Sequence, residues 1–98
     1  MTDGELLDRY LAGRDEAAFE SLLRRHGPMV LAVCRRVADN RQDAEDAFQA
    51  TFLILVRKAA SIQPRHMIGN WLYGVAYRAG MKVRTMTKRL RGDRKSVV

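Results

Sequence analysis

Apolar residues recur at steps of three and four along most of the chain, and this spacing most limits what it can fold into. Such steps place side chains on one face of an α-helix, whereas no stretch shows the strict alternation typical of a half-buried β-strand. The sequence therefore predicts an all-α protein, a compact bundle of four main helices with short connections. In the last helix the recurring residues are Ile68, Leu72, Val75, Ala76, Ala79 and Val83.

Local capping signals divide this pattern into separate helices. Thr2 followed by Glu5 matches a capping box, in which side chains satisfy the first backbone amides of a helix. Asp15 can cap a second helix, and Asn40 precedes the third in the same way. Gly13 is the expected left-handed stop of the first helix.

The second helix contains Gly27-Pro28. Proline removes one backbone donor and clashes with the preceding turn, so a kink or a restart is predicted there. The last helix is expected to fray beyond Thr87. We predict one domain over residues 1–90 and a basic flexible tail over residues 91–98, because the tail has little to bury.

The composition excludes several classes of protein. Apolar residues make up 47% of the chain and charged residues 30%, which is typical of a soluble globular domain. No apolar run reaches the roughly 20 residues that span a bilayer, and the acidic N-terminus is unlike a signal peptide, so we expect a cytoplasmic protein without membrane contact. The single cysteine, Cys34, is expected in the core, and the two histidines lack a ligand pattern, so no metal or cofactor is predicted.

The charge is unevenly distributed along the chain. Residues 1–60 hold nine Lys or Arg and ten Asp or Glu, a net charge of −1, whereas residues 61–98 hold nine and one, a net charge of +8. A basic segment on a neutral body is typical of a polyanion binder, and here it favours nucleic acid over membrane. The alternative is a solvated basic tail on an ordinary domain.

The last helix carries a second repeating face besides its aliphatic one. Tyr73, Tyr77, Gly80, Arg84 and Lys88 share the helical step. Aromatic rings beside cations suit single-stranded nucleic acid, because every base has a π-face and every phosphate a charge. The alternative is an amphipathic helix whose tyrosine rings pack at the edge of the core.

The third helix has an acidic start and a partly polar outer face. Acidic side chains at a helix N-terminus are stabilised by the helix dipole, so they do not by themselves indicate catalysis. They have no histidine or metal cluster beside them, and we therefore predict that the protein is not an enzyme. The outer face consists of Asp43, Asp46, Gln49, Ala50, Leu53 and Arg57.

Two motifs in this order resemble a known family. Residues 43–53, DAEDAFQATFL, and residues 70–76, NWLYGVA, look like region 2 of bacterial sigma factors, and most closely like the extracytoplasmic-function branch of the sigma-70 family. Residues 16–36 are similar to that family's first conserved helix pair. The likeness covers roughly residues 3–90.

The resemblance implies a transcription initiation module. In this family the acidic helix docks on the clamp helices of the largest subunit of the RNA polymerase core. The following loop and helix recognise and melt the promoter −10 element and hold a base flipped from the non-template strand, and an anti-sigma factor is a further possible partner. Carried over by position, Asp46 and Gln49 fall where the family makes its clamp contacts. We predict that the whole outer face of this helix binds polymerase: Asp43, Asp46, Gln49, Ala50, Leu53 and Arg57. The DNA-binding residues are Arg65, His66, Asn70, Trp71, Tyr73, Tyr77, Arg78, Lys82, Arg84 and Lys88, with Trp71 either a stacking platform or a buried strut.

The sequence departs from the family pattern at three places. Ala50 stands where many members carry an acid, and the loop at 63–67 lacks the small polar run common before the Trp-Leu motif. Nothing corresponds to the second domain that binds the −35 element, so we expect a fragment or an atypical member. Two other functions stay open at this point: a generic double-stranded DNA-binding helical domain, and a protein-binding adaptor whose basic tail is incidental.

Overall fold

The computed structural model describes the backbone of residues 1–97 and the side chains of residues 1–89. These residues form four α-helices and no strand, which confirms the predicted all-α bundle. The helices are α1 (Asp3–Gly13), α2 (Glu16–Val37), α3 (Arg41–Lys58) and α4 (Ile68–Val97), and two 3₁₀ turns, Ala59–Ser61 and Arg65–Met67, lie between α3 and α4.

The predicted caps are confirmed at the start of the first three helices. The Thr2 hydroxyl accepts from the Glu5 amide, and the Glu5 carboxylate accepts from the Thr2 amide, each at 3.1 Å. Because the bond from the Thr2 amide favours the ionised carboxylate, the pKa of Glu5 lies below its usual value. The Asp15 carboxylate accepts from two early amides of α2, and the Asn40 side chain accepts from the Asp43 amide at 2.8 Å.

The prediction for the end of α1 is wrong by one residue. Gly13 is the last helical residue, and Arg14 adopts the left-handed conformation at φ 55°. Two contacts with Tyr10 accompany it: the Arg14 guanidinium donates to the phenol oxygen at 3.2 Å and lies 5.7 Å from the ring centroid. These contacts help to offset the strain of a left-handed residue that carries a Cβ.

Helix α2 continues through Pro28 and does not restart there. Gly27 is buried beside Phe48 of α3, whereas Pro28 is exposed, so the proline ring lies on the solvent side of the helix.

The core lies where α4 packs against both α2 and α3. Its aliphatic face is buried as predicted, with Ile68, Leu72 and Ala76 fully enclosed. Cys34 is also fully buried, and desolvation raises the pKa of its thiol, which agrees with its predicted role as a small core residue. The part of the chain that the structure describes includes no helix that could cross a membrane.

Helices α2 and α4 approach each other closely at Gly80. A Cβ placed there would lie 3.1 Å from both Cβ and Cγ1 of Val37. At the other end of the same pair, Gly69 of α4 lies against His26 of α2. Both contacts advance in the same chain direction, so α2 and α4 run parallel.

The predicted division at residue 90 is not tested. The backbone of α4 is helical to Val97, rather than fraying beyond Thr87. The tail predicted for residues 91–98 lies outside the residues whose side chains the structure describes.

Alanine substitutions of two glycines in α4 should have opposite effects on stability. At Gly74 the new Cβ meets only the flexible Arg78 guanidinium, at 3.3 Å, so we expect a gain of about 0.5–1 kcal/mol from better helix propensity. At Gly80 it meets the stiff, buried Val37, and overpacking of about 1–3 kcal/mol should exceed that gain. Urea unfolding of both variants measures the two effects, and a more stable Gly80→Ala protein would contradict the close packing.

Candidate nucleic-acid interface

The tyrosines of α4 lie on its outer surface. Tyr73 and Tyr77 are 47% and 49% exposed, so their rings are half accessible rather than packed into the edge of the core. The ring of Tyr77 shares this surface with cations, because one open depression of about 450 Å³ runs along α4 beside it. Its lining residues are Tyr77, Arg78, Met81, Lys82, Thr85, Met86 and Arg89.

Four lining residues were not predicted from the sequence as site residues: Met81, Thr85, Met86 and Arg89. Met81 stands one helical step beyond Tyr77, so the periodicity that grouped Tyr73 with Tyr77 could have found it. Arg89 is one residue beyond Lys88 and adds another cation. An unbranched thioether beside a ring offers an adaptable apolar contact for a flat ligand.

Trp71 differs from the tyrosines in its surroundings. It is only partly exposed and packs against the core, so of its two predicted roles the structure favours the buried strut. Asn70 and His66 are exposed at the start of α4 and in the preceding turn. They remain accessible candidates for contact with a base.

Two predicted phosphate ligands are held by acidic residues of the bundle. The Nε of Arg84 lies 3.3 Å from Asp39 in the turn between α2 and α3. The Nε of Arg65 lies 3.0 Å from Asp8 of α1. Both guanidinium groups are therefore engaged within the protein, and Arg78, Lys82 and Lys88 are the predicted cations whose side chains are exposed.

The loop between α3 and α4 is anchored by apolar residues at its centre and its end. Ile62 is 2% exposed and Ile68 is fully buried, so both tie the loop to the core. Between them Gln63, Pro64 and His66 face the solvent. The loop thus presents a short exposed stretch from two fixed points, next to the first turn of α4.

The outer face of α3 has an apolar centre with polar neighbours. Leu53 is 61% exposed, and such a side chain counts toward a docking surface only where it has apolar neighbours. Val56, not predicted from the sequence, is 39% exposed at one helical step from it. The other predicted members are exposed or half-buried: Asp46, Gln49, Ala50 and Arg57.

Asp43 does not belong to this exposed face, so its predicted role in polymerase binding needs correction. It is 9% exposed, and its carboxylate accepts from the Thr87 hydroxyl at 2.7 Å and from the Asn40 amide group at 3.2 Å. The bond from Thr87 joins the start of α3 to α4, and the bond from Asn40 lies within the cap of α3. Asp46, one helical turn later, points outward and accepts from Gln42 at 3.0 Å.

Comparisons with known proteins agree with this arrangement. Residues 22–95 match the family model described as Sigma-70 region 2. The chain is 33% identical over 78 residues to the ECF RNA polymerase sigma factor SigM of Mycobacterium tuberculosis, covering 80% of this chain and 39% of that protein. It is 36% identical over 73 residues to the RNA polymerase sigma factor CarQ of Myxococcus xanthus, covering 74% and 41%. The chain thus spans about two fifths of the length of these curated relatives. No solved structure matches it.

We expect the two acids of α3 to differ in their effect on stability. Asp43→Ala leaves the Thr87 hydroxyl without its buried partner and should lower the free energy of unfolding by about 1–3 kcal/mol. Asp46→Ala, on the exposed face, should change it by less than about 0.5 kcal/mol. Thermal or urea unfolding measures both, and a double variant with Thr87→Val should lose less than the sum of the single changes. Equal effects of the two alanine variants would remove the structural role assigned to Asp43.

Proposed function

This chain belongs to the sigma-70 family as the region 2 domain of an extracytoplasmic-function sigma factor, and we propose that it docks on RNA polymerase through α3 and opens the promoter −10 element through α4. Sigma factors are transcription initiation factors and not enzymes, which agrees with the prediction from the sequence. The observation that carries the proposal is the shared exposed surface of rings and cations on α4.

For polymerase docking, α3 offers a surface with the anatomy of a protein interface. Leu53 and Val56 supply an exposed apolar centre, and Asp46, Gln49 and Arg57 supply a polar rim. Its partner would be the clamp helices of the largest polymerase subunit. Asp43 takes no part in this contact, because its carboxylate is buried and bonded to Thr87.

For promoter opening, α4 offers what strand separation needs without a catalytic group. Extracting a base costs a few kcal/mol of stacking and pairing, which a site must offset by binding the free base. Stacking on Tyr73 or Tyr77 can contribute about 1–3 kcal/mol per base. Arg78, Lys82 and Lys88 would then hold the backbone without reading sequence.

The loop between α3 and α4 would determine which base of the −10 element the protein binds. Its exposed stretch around His66, together with Asn70 at the start of α4, provides polar atoms that can contact base edges. The captured base would come from the non-template strand of the −10 element. This loop lies between the two helices that carry the proposed surfaces, so docking through α3 would place it beside the promoter.

The setting of this activity also belongs to the proposal. The protein would work in the cytoplasm with the RNA polymerase core, and an anti-sigma factor would be a further partner. A region 2 domain studied by itself should bind DNA weakly.

Polymerase docking can be measured by core-enzyme pull-down with single variants of the outer face of α3. We expect Asp46→Lys, Gln49→Ala or Leu53→Ala to weaken binding, by about tenfold where the residue lies at the centre of the contact. Glu20→Lys makes the same change of charge as Asp46→Lys on an exposed part of α2 and should leave binding unchanged. Undiminished capture of the polymerase by all three α3 variants would remove this docking surface.

Single-strand recognition can be measured by fluorescence anisotropy with a non-template −10 oligonucleotide and its duplex. The protein should prefer the single strand, and Tyr73→Ala or Tyr77→Ala should weaken that binding by about fivefold or more. Lys82→Gln should flatten the log–log salt slope by about 0.7 on single strands. Arg9→Gln, which removes an exposed cation from α1, should change neither quantity.

Two outcomes would point to the other functions that the sequence left open. Tighter binding to the duplex than to the single strand would indicate a generic double-stranded DNA-binding domain. Negligible affinity for either oligonucleotide at moderate salt would indicate a protein-binding adaptor.

A further inference from the structure

Helix α1 lies directly against the loop between α3 and α4. It contacts both 3₁₀ turns of that loop. A Cβ placed on Gly4 would lie 3.7 Å from the Cβ of Arg65 and 3.7 Å from the amide nitrogen of His66. The backbone of the loop therefore rests on the first turn of α1, on residues outside both proposed binding helices.

A single guanidinium group connects three parts of the chain at this place. The Nε of Arg65 lies 3.0 Å from the Asp8 carboxylate of α1. One terminal nitrogen of Arg65 donates to the carbonyl oxygens of Ala59 and Ala60, at 3.3 and 3.4 Å. Arg65 thus joins α1 to both 3₁₀ turns of the loop, and the rigid planar spacing of its donors differs from that of an ammonium group.

This connection is poorly suited to a role in global stability. The Asp8 side chain is 65% exposed, and an ion pair so open to solvent contributes little to the free energy of unfolding. The buried residues Ile62 and Ile68 already hold the loop to the core. The Asp8–Arg65 pair instead constrains the exposed backbone between those two anchors.

A second acid of α1 keeps the helix in place independently of the loop. The Asp3 carboxylate lies 3.0 Å from Arg25 and 2.9 Å from the Nε2 of His26, both on α2. His26 in turn lies against Gly69 in the first turn of α4. Helix α1 is therefore a fixed reference from which Asp8 can set the position of Arg65.

We propose that Asp8 and Arg65 are a positioning pair that sets the conformation of the loop and thereby its choice of base, without contacting DNA themselves. This inference rests on the proposed function of the loop as the site of base capture. It replaces the role of phosphate ligand that the sequence predicts for Arg65.

The test compares the full 98-residue chain with three variants on single-stranded −10 oligonucleotides that differ at one base. A phosphate contact and a positioning pair predict different effects of these variants on DNA affinity and on base discrimination. If Arg65 bound phosphate, Asp8→Asn would release it and tighten binding, Arg65→Gln would weaken binding, and Arg65→Lys would retain most of it. If the pair positions the loop, all three variants should lower base discrimination and leave the salt slope unchanged.

The expected size of the base discrimination follows from the free energy that one mismatched base costs. The wild-type protein should prefer its best base over the worst by about fivefold or more, the ratio that corresponds to about 1 kcal/mol. Asp8→Asn, Arg65→Gln and Arg65→Lys should each bring that ratio toward one, while Asp8→Glu should largely preserve it. Glu20→Gln repeats the charge change of Asp8→Asn on α2 and should have no effect. The proposal would be overturned if Asp8→Asn tightened DNA binding while Arg65→Gln weakened it, or if either variant changed the salt slope.

A second measurement without DNA separates this inference from the proposed function. The Met67 amide donates to the Pro64 carbonyl at 3.0 Å within the loop, and its hydrogen exchange reports the loop conformation. Exchange should become faster in Asp8→Asn and Arg65→Gln and stay unchanged in Glu20→Gln. A wild-type chain without base discrimination would count against the proposed function, whereas unchanged exchange in the two variants would count against the positioning pair.

Discussion

The packing of α4 against α2 at Gly80 determines which residues the domain presents to the solvent. With a Cβ position only 3.1 Å from Val37, the helix has little freedom to rotate about its axis. That orientation turns Leu72 and Ala76 into the core and leaves Tyr73 and Tyr77 half exposed. A rotation by one residue would exchange rings for aliphatic side chains at the surface. The exposed tyrosine face is therefore oriented by a helix–helix contact at its own edge, where Gly80 meets Val37.

The two acids Asp43 and Asp46 of α3 lie in different surroundings although they belong to one sequence motif. Asp43 is enclosed, and its carboxylate accepts from the Thr87 hydroxyl and the Asn40 amide group, so its hydrogen bonds are satisfied inside the protein. A buried carboxylate needs such partners, because leaving it without them is costly. Asp46 lies one turn later and faces outward, on the same helix face as the exposed Leu53 two turns further on. Asp43 and Asp46 are residues of the same type one helical turn apart, and they differ in burial.

Local features of this fold could be predicted from the sequence, and long-range pairings could not. The buried face of α4 follows from its apolar spacing, and the caps at Thr2, Asp15 and Asn40 follow from bonds within a few residues. The left-handed residue at the end of α1 is Arg14 and not Gly13, and contacts of Arg14 with Tyr10 help to offset the strain. The pair of Arg65 with Asp8 joins distant segments, and no periodic pattern marks it. The candidate surface was therefore predictable as a face, but its individual cations were not.

Long-range pairing also limits what the distribution of charge along the sequence can predict. The surplus of +8 in residues 61–98 correctly marks the basic end of the chain, yet two of its arginines are paired with acids from the first half. Asp8 and Asp39 thus partly offset the charge of Arg65 and Arg84, and the cations exposed on α4 begin with Arg78 and Lys82. At physiological salt the field of an exposed charge is screened within about 8 Å, so a phosphate would respond to the nearby cations and not to the net charge. A basic segment therefore predicts the class of ligand, while the ion pairs across the bundle decide which side chains can meet it.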